Sequence, residues 1–353
     1  GNYENLNTDD TATVTVSDTV DTTTVTLGDV SVDEGGNATI TATVDNAPQT
    51  DLTLNLSNGE TVTIAAGTTT GSATFAVQGD DPYVDGGSFT VGIDSATGGN
   101  YENLNTDDTA TVTVSDTVDT TTVTLGDVSV DEGGNATITA TVDNAPQTDL
   151  TLNLSNGETV TIAAGTTTGS ATFAVQGDDP YVDGGSFTVG IDSTTGGNYE
   201  NLNTDDTATV TVSDTTDTTT VTLGDVSVDE GGNATITATV DNAPQTDLTL
   251  NLSNGETVTI AAGTTTGSAT FAVQGDDPYV DGGSFTVGID SATGGNYENL
   301  NTDDTATVTV SDTVDTTTVT LGDVSVDEGG NATITATVDN APQTDLTLNL
   351  SNG

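Results

Sequence analysis

Residues 25–44 read VTLGDVSVDEGGNATITATV, and the spacing of their apolar side chains decides the fold. Ala38, Ile40, Ala42 and Val44 alternate with Thr39, Thr41 and Thr43. Successive side chains of an extended strand point to opposite faces, so this pattern buries one face and wets the other. Val25 and Leu27 keep the odd phase, whereas Val30 and Val32 take the even one. A slip of one residue carries side chains to the opposite face, so Gly28-Asp29 predicts a bulge or a switch between two sheets.

The same period continues outward. Leu52, Leu54 and Leu56 alternate with Thr53 and Asn55, and Val62 and Ile64 follow an Asn58-Gly59 hairpin turn. Ala73, Phe75 and Val77, then Phe89, Val91 and Ile93, then Ala110, Val112 and Val114 complete the series. The spacing predicts seven strands, A to G, near 23–32, 37–44, 51–57, 60–65, 71–78, 88–95 and 108–115. No stretch shows the helical period. Seven short alternating strands in one domain-sized segment predict an all-β, immunoglobulin-like seven-stranded β-sandwich. Its core would be Val, Leu, Ile, Ala and two Phe, without the Cys–Trp–Cys set of antibody domains. Thr dominates the outward faces. β-Branched residues favour strands, and this weighs against reading those faces as an ice- or sugar-binding array.

The segment GNYENLNTDD begins at Gly1 and returns at Gly99, Gly197 and Gly295, a period of 98 residues. The copies differ at two repeat positions: Ala96, Thr194 and Ala292 at one, and Val20, Val118, Thr216 and Val314 at the other. Such a period is too long for a solenoid unit and matches one small domain. The expected organisation is sandwich domains end to end. Complete repeats would span 21–118, 119–216 and 217–314, with the last strand of a truncated repeat in 1–20 and the first part of another in 315–353. Neither partial copy could close a sandwich. The chain reads as a fragment of a longer protein, with no signal peptide or transmembrane run visible.

Lys, Arg and His are absent, and 55 acidic residues give a formal net charge of −55. Side-chain salt bridges are therefore impossible. Nucleic acid and anionic membrane are excluded as direct partners, because nothing here neutralises phosphate. With no Cys there are no disulfide staples. Self-repulsion should destabilise a compact state unless counter-ions bind. A disordered acidic linker has the same charge signature, but the strict alternation of apolar residues argues against it.

In this sandwich the AB and EF loops share a pole with the end of strand G. The AB loop carries Asp33 and Glu34, the EF loop Asp80, Asp81 and Asp85, and the junction Asp116 and Asp119. The copies are Asp131, Glu132, Asp178, Asp179, Asp183, Asp214 and Asp217, then Asp229, Glu230, Asp276, Asp277, Asp281, Asp312 and Asp315. Asp18 and Asp21 stand at the first junction. Across the junction that follows the first full repeat lie Asp143, Asn144, Glu200, Asn203, Asp205 and Asp206. Calcium takes six to eight hard oxygens at about 2.3–2.6 Å, and neighbouring glycines let backbone carbonyls turn inward. Magnesium retains its waters, and zinc lacks its His and Cys ligands here. Calcium ions are thus the expected partners, held by this set at the junctions. Solvation, or salt adaptation of a halophilic surface, is the alternative reading of the same acids. Asp29, Asp51 and Glu60 read as plain surface charge. From Ser115 to Thr120 there is no flexible Pro/Gly/Ser tract, so a metal-bridged junction would be stiff.

VTLGDVSVDEGGNATITATV at 25–44, the loop GDDPYVDGG at 79–87 and VTVSDTVDTTTVTL at 112–125 together resemble the central extender repeats of the giant RTX adhesins. These are bacterial surface proteins exported by type I secretion, among them biofilm adhesins of the large-adhesion-protein type and ice-binding adhesins. VDEGGNATI is also similar to the opening of Calx-β-type calcium domains. The resemblance implies immunoglobulin-like folds, calcium at the junctions and a spacer that projects a ligand-binding tip away from the cell. It places the chain outside the cell, on the bacterial surface, as a monomer whose contacts are its own neighbouring repeats. The junction calcium it implies falls on Asp116, Asp119, their copies and the Asp80–Asp85 loop.

A glycan-, ice- or cell-binding module and a halophilic surface-layer protein remain the alternatives. Trp is absent and aromatic residues are few, whereas glycan sites use aromatic platforms. An enzyme is not expected, since no His, Cys or Lys is present for nucleophilic or general-base work.

Overall fold

A computed structural model describes residues 1–352. They fall into two compact units. The first comprises Gly1–Asp127, Thr137–Ala171 and Thr188–Ala208; the second comprises Val128–Ala136, Thr172–Phe187 and the chain from Thr209 onward. The repeat 21–118 lies wholly in the first unit and the repeat 217–314 wholly in the second.

The 21–118 repeat is entirely β. Its strands are β1 (Thr22–Leu27), β2 (Val30–Asp33), β3 (Asn37–Val44), β4 (Leu52–Leu56), β5 (Thr61–Ile64), β6 (Thr70–Ala76), β7 (Gly87–Gly98), β8 (Asn103–Asn105) and β9 (Thr109–Ser115). One sheet runs β6-β3-β1-β8 and the other β2-β9-β7-β4-β5. The phase slip at Gly28-Asp29 is a change of sheet. β1 pairs antiparallel with β3 through Val25↔Val44 and Leu27↔Ala42, and β2 pairs in parallel with β9 through Val30↔Val112 and Val32↔Val114. Nine segments thus stand where seven were expected. Strand A divides in two, and the three-residue β8 adds a parallel pairing to β1, Thr22↔Asn103 to Thr24↔Asn105. The 217–314 repeat has the same two sheets in the same order.

The inward positions are the ones that the alternation selects. Ile40, Leu52, Leu54 and Ile64 are completely buried, with Val25, Ala38, Val91 and Val112 around them. The two Phe residues stand outside this centre, contrary to expectation. Phe89 is 43% exposed and leans on the half-buried Phe75, ring centroids 6.4 Å apart at 55°. The pair links the two sheets, since Phe75 belongs to the edge strand β6 of one and Phe89 to the central strand β7 of the other. Outward threonines also bond across strands, with Thr39 Oγ1 and Thr74 Oγ1 2.8 Å apart.

Residues 1–20, a partial copy expected to be unable to close a sandwich, form no strand and are exposed throughout. The last strand of the complete repeat pairs with β2 and β7, and no such neighbours lie beside this segment. In 315–352 a short hairpin remains, Val319–Leu321 against Ala336–Val338.

Candidate functional site

The acids of the 21–118 repeat are gathered by two glycine-assisted turns. Gly36 N donates to Asp33 O at 3.1 Å, closing the AB turn, and Gly35 adopts φ +69° while its N donates to Gln78 O at 2.7 Å. A Cβ on Gly35 would stand 3.0 Å from Asp80 Cβ, and one on Gly86 would stand 2.7 Å from Asp116 Oδ1. Glycine at these two places therefore lets the AB loop meet the EF loop, and the EF loop meet the end of β9.

Glu34 lies at the centre, 4% exposed. Its N donates to Ser115 O at 3.0 Å, and its Oε1 accepts from Thr117 N at 2.9 Å. Thr117 Oγ1 donates to Asp80 Oδ1 at 2.7 Å. Gln78 Nε2 donates to Asp85 Oδ1 at 2.6 Å, and Asp85 N donates to Asp116 Oδ1 at 3.3 Å. One carboxylate oxygen each from Glu34, Asp85 and Asp116 lie within 4.8 Å of one another. In the second unit Glu132, Asp183 and Asp214 form the same group. Glu230 instead gathers Asp277 and Asp281, while Asp312 Oδ1 accepts from Asp281 N at 3.1 Å and from Gly282 N.

The other expected ligands sit around these groups. Asp80, with its copies Asp178 and Asp276, is tied to the junction threonine. The carboxylates of Asp81, Asp179 and Asp277 accept from the amide two residues on, that of a tyrosine, each capping its own turn. Asp33, Asp131 and Asp229 end their strands with exposed side chains. Asp21, Asp119 and Asp217 use main-chain N to donate to Glu102, Glu200 and Glu298. Asp18 and Asp315 join none of the acidic groups found among the described residues.

The residue missing from that set is Glu200. Its Oε2 accepts from Asp119 N at 2.6 Å, while its buried Oε1 has no hydrogen-bond partner, and Glu298 repeats this in the second unit. The Asp119 amide draws the Glu200 carboxyl down in pKa, but burial and the adjacent Glu34 carboxylate together hold it above the ordinary value. Glu34 moves the other way. The Thr117 amide lowers it more than burial raises it, and the side chains of Glu200, Gln78 and Thr117 lower it further.

Beside the acids runs an aromatic latch. Tyr83 stacks on Tyr199 at 5.7 Å between centroids and 28° between planes. The Tyr83 hydroxyl donates to Ala145 O at 2.6 Å, and the Tyr199 hydroxyl to Asn144 O at 2.6 Å. Main chain joins main chain as well: Val84 N donates to Asn198 O and Glu200 N to Pro82 O, both at 3.1 Å. Asn198 holds φ +61°, a left-handed position that asparagine tolerates, and this turn presents Tyr199 to Tyr83. Tyr181 and Tyr297 repeat the stack in the second unit. Two tyrosines at these spacings stand out in an aromatic-poor sequence, and that was the available signal for the latch.

The LapA domain family matches residues 21–117, 119–215, 217–313 and 315–353. The chain belongs to the LapA domain family. No curated protein sequence matches it. Among solved structures, CBD12 from CALX1.2 aligns at 9% identity over 54% of this chain and 99% of its own, TM-score 0.24. The I9-I11 tandem of titin aligns at 14% identity over 82% of this chain and 98% of its own, TM-score 0.19. The four matches in tandem are consistent with the repeat region of a LapA-type large adhesin, and the structure described above is all-β in each repeat. No helix among the described residues is long and apolar enough to cross a membrane.

Proposed function

We propose that this LapA chain is a calcium-stiffened structural extender of a bacterial cell-surface adhesin of the RTX type, projecting a distal ligand-binding region away from the cell. The observation that carries the reading is the meeting of Glu34, Asp85 and Asp116 within 4.8 Å, in a chain without one cationic side chain. Like charges so close repel, and a hard divalent cation is the simplest counter-charge for oxygen-only donors. The partnerless buried Oε1 belongs to Glu200, whose carboxyl lies beside Glu34 and within reach of the Asp116 charge. The donor set therefore fits calcium. Glu34, Asp85 and Asp116 would hold the ion, with Asp80, Asp119 and Glu200 around it. Glu132, Asp183 and Asp214 would form the equivalent site in the second unit. The ion would supply positive charge alone. The chain's own residues do the positioning, through Thr117, Gln78 and the two glycine turns.

Outward threonines bonded to one another support a spacer over an ice- or sugar-binding face. Small-angle X-ray scattering tests the proposal. The maximum dimension of the chain should fall when EDTA replaces millimolar calcium and should return when calcium is restored. An unchanged dimension rejects calcium stiffening. A dimension that follows molar salt and ignores calcium points to a halophilic coat protein.

A further inference from the structure

The chain has seven tyrosines and no Trp, Met, Cys or His. Cys and Met are the usual first targets of oxidants, so tyrosine is the side chain left here to yield electrons. Four of the tyrosines stand in two stacked pairs. Tyr83 and Tyr199 lie 5.7 Å apart at 28°, and Tyr181 and Tyr297 lie 5.7 Å apart at 27°. Each stack is head to head. The Tyr83 hydroxyl donates to Ala145 O and the Tyr199 hydroxyl to Asn144 O, both at 2.6 Å, so the two phenol ends are tied to consecutive carbonyls of one loop. Tyr181 and Tyr297 are tied in the same way to Ala243 O and Asn242 O, at 2.5 and 2.6 Å. Rings that are nearly parallel and point the same way set the carbons ortho to one hydroxyl beside those ortho to the other. Main chain holds that alignment, since each pair also forms an antiparallel β-bridge. All four residues are half-buried, so an edge of each pair meets solvent.

We propose that each stacked pair is a site of dityrosine formation, a carbon–carbon cross-link between ortho ring carbons that ties a tyrosine of one repeat to a tyrosine of the next. The oxidant is a peroxide acting one electron at a time. Each phenol gives up one electron and one proton, and the proton passes to water. The two phenoxyl radicals join at their ortho carbons. The hydrogen on each joined carbon then moves to the oxygen of its own ring, which restores both phenols. A pair thus yields two electrons and two protons, and the peroxide takes up the electrons as its O–O bond breaks. Both hydroxyls survive, so their bonds to the loop carbonyls are kept. The stack supplies what the coupling needs, two radicals held in contact before either can escape. The cross-link closes the chain between residues 83 and 199 without any metal. It stands apart from the calcium reading and would keep neighbouring repeats in register when the ion is withdrawn.

The test is brief photo-oxidation of the dilute native chain in calcium buffer, with ruthenium tris(bipyridine) as sensitiser and persulfate as the peroxide. The monomer fraction, isolated under denaturing conditions, should carry dityrosine fluorescence and should have lost two hydrogens per pair. Cleavage after acidic residues releases Pro82–Asp85 and Ser193–Glu200, the second marked by Thr194, which the other copies lack. These two peptides should be recovered joined. Concentrated urea unstacks the rings and should cut the yield at least about tenfold. Tyr83→Phe keeps the ring in the stack and should abolish the product that carries Thr194. A monomer fraction without joined peptides overturns the proposal. So does a yield that urea leaves unchanged, or a Thr194 product that survives Tyr83→Phe. Because the readout is mass and not dimension, a failure here is distinct from a failure of calcium stiffening.

Discussion

Acids in a chain without cations still need partners, and the main chain provides them. Leu27 N donates to Asp108 Oδ2 at 2.8 Å, Ala66 N to Asp51 Oδ1 at 2.8 Å and Thr111 N to Asp29 Oδ1 at 2.7 Å. Asp29 and Asp51 are therefore structural caps and not the plain surface charge that their positions in the sequence suggest. Asp29→Ala should cost about 1 kcal/mol in urea unfolding of the chain, the worth of one hydrogen bond on a partly wet surface. Asp94→Ala, at an exposed position, should cost less. The tyrosine hydroxyls give a second check at this scale. Burial, then Tyr83, then Asp143 push Tyr199 up to about 12, and Tyr297 reaches about 12 for the matching reasons. The folded state holds these protons more tightly than the unfolded chain. Their contribution is complete below about pH 10 and is lost as pH rises through about 12. Ultraviolet titration should show Tyr199 and Tyr297 late, with Tyr101 also delayed by burial and Asp45, and Tyr83→Ala should bring Tyr199 earlier.

At the scale of strands and loops, the legible part of the sequence was whatever obeys period two. The alternation in Asn37–Val44 and the slip between Leu27 and Val30 were enough to place two sheets and the crossing between them. The short strand Asn103–Asn105 was not legible, because three residues carry no period and its partner, Thr22–Thr24, is fixed only by folding. The convergence of the AB and EF loops was legible from strand order. Glu200 was seen across the junction but not placed among the ligands, since its burial against Glu34 depends on how the Asn198 turn docks. That pairing sets a pH dependence. Glu200 is held above its ordinary value, so acidification through that raised value adds stability. Glu34 is held below its ordinary value, so its contribution is full above about pH 4.3 and fades as pH falls through the depressed value. In EDTA, the calorimetric melting temperature should therefore pass through a maximum on the acid side of neutrality. Glu200→Gln should flatten the rise toward it. A steady fall from neutral pH downward would contradict the assignment.

Across the whole molecule the repeats share one plan, and what was hardest to read was how each copy departs from it. Near-identical sequences offer no contrast between copies, yet the acidic group at Glu230 uses Asp277 where Glu34 uses Asp116. The sequence gives no sign of this, because Asp81 and Asp277 occupy the same repeat position. The strand order within a repeat also bears on what happens when an adhesin spacer is pulled by its ends. The chain arrives near β1 and β2 and leaves by β9, and β2 lies parallel to β9 from Val30↔Val112 to Asp33↔Ser115. Tension applied at the two ends slides these strands lengthwise past one another. The bonds between them then bear load together in shear and do not peel open singly. In single-molecule stretching, each repeat should yield at high force in one step. Asp29→Ala, which frees the Thr111 amide at the head of this pairing, should lower that force, so the same carboxylate that offsets charge at rest would also act as a mechanical fastener under flow.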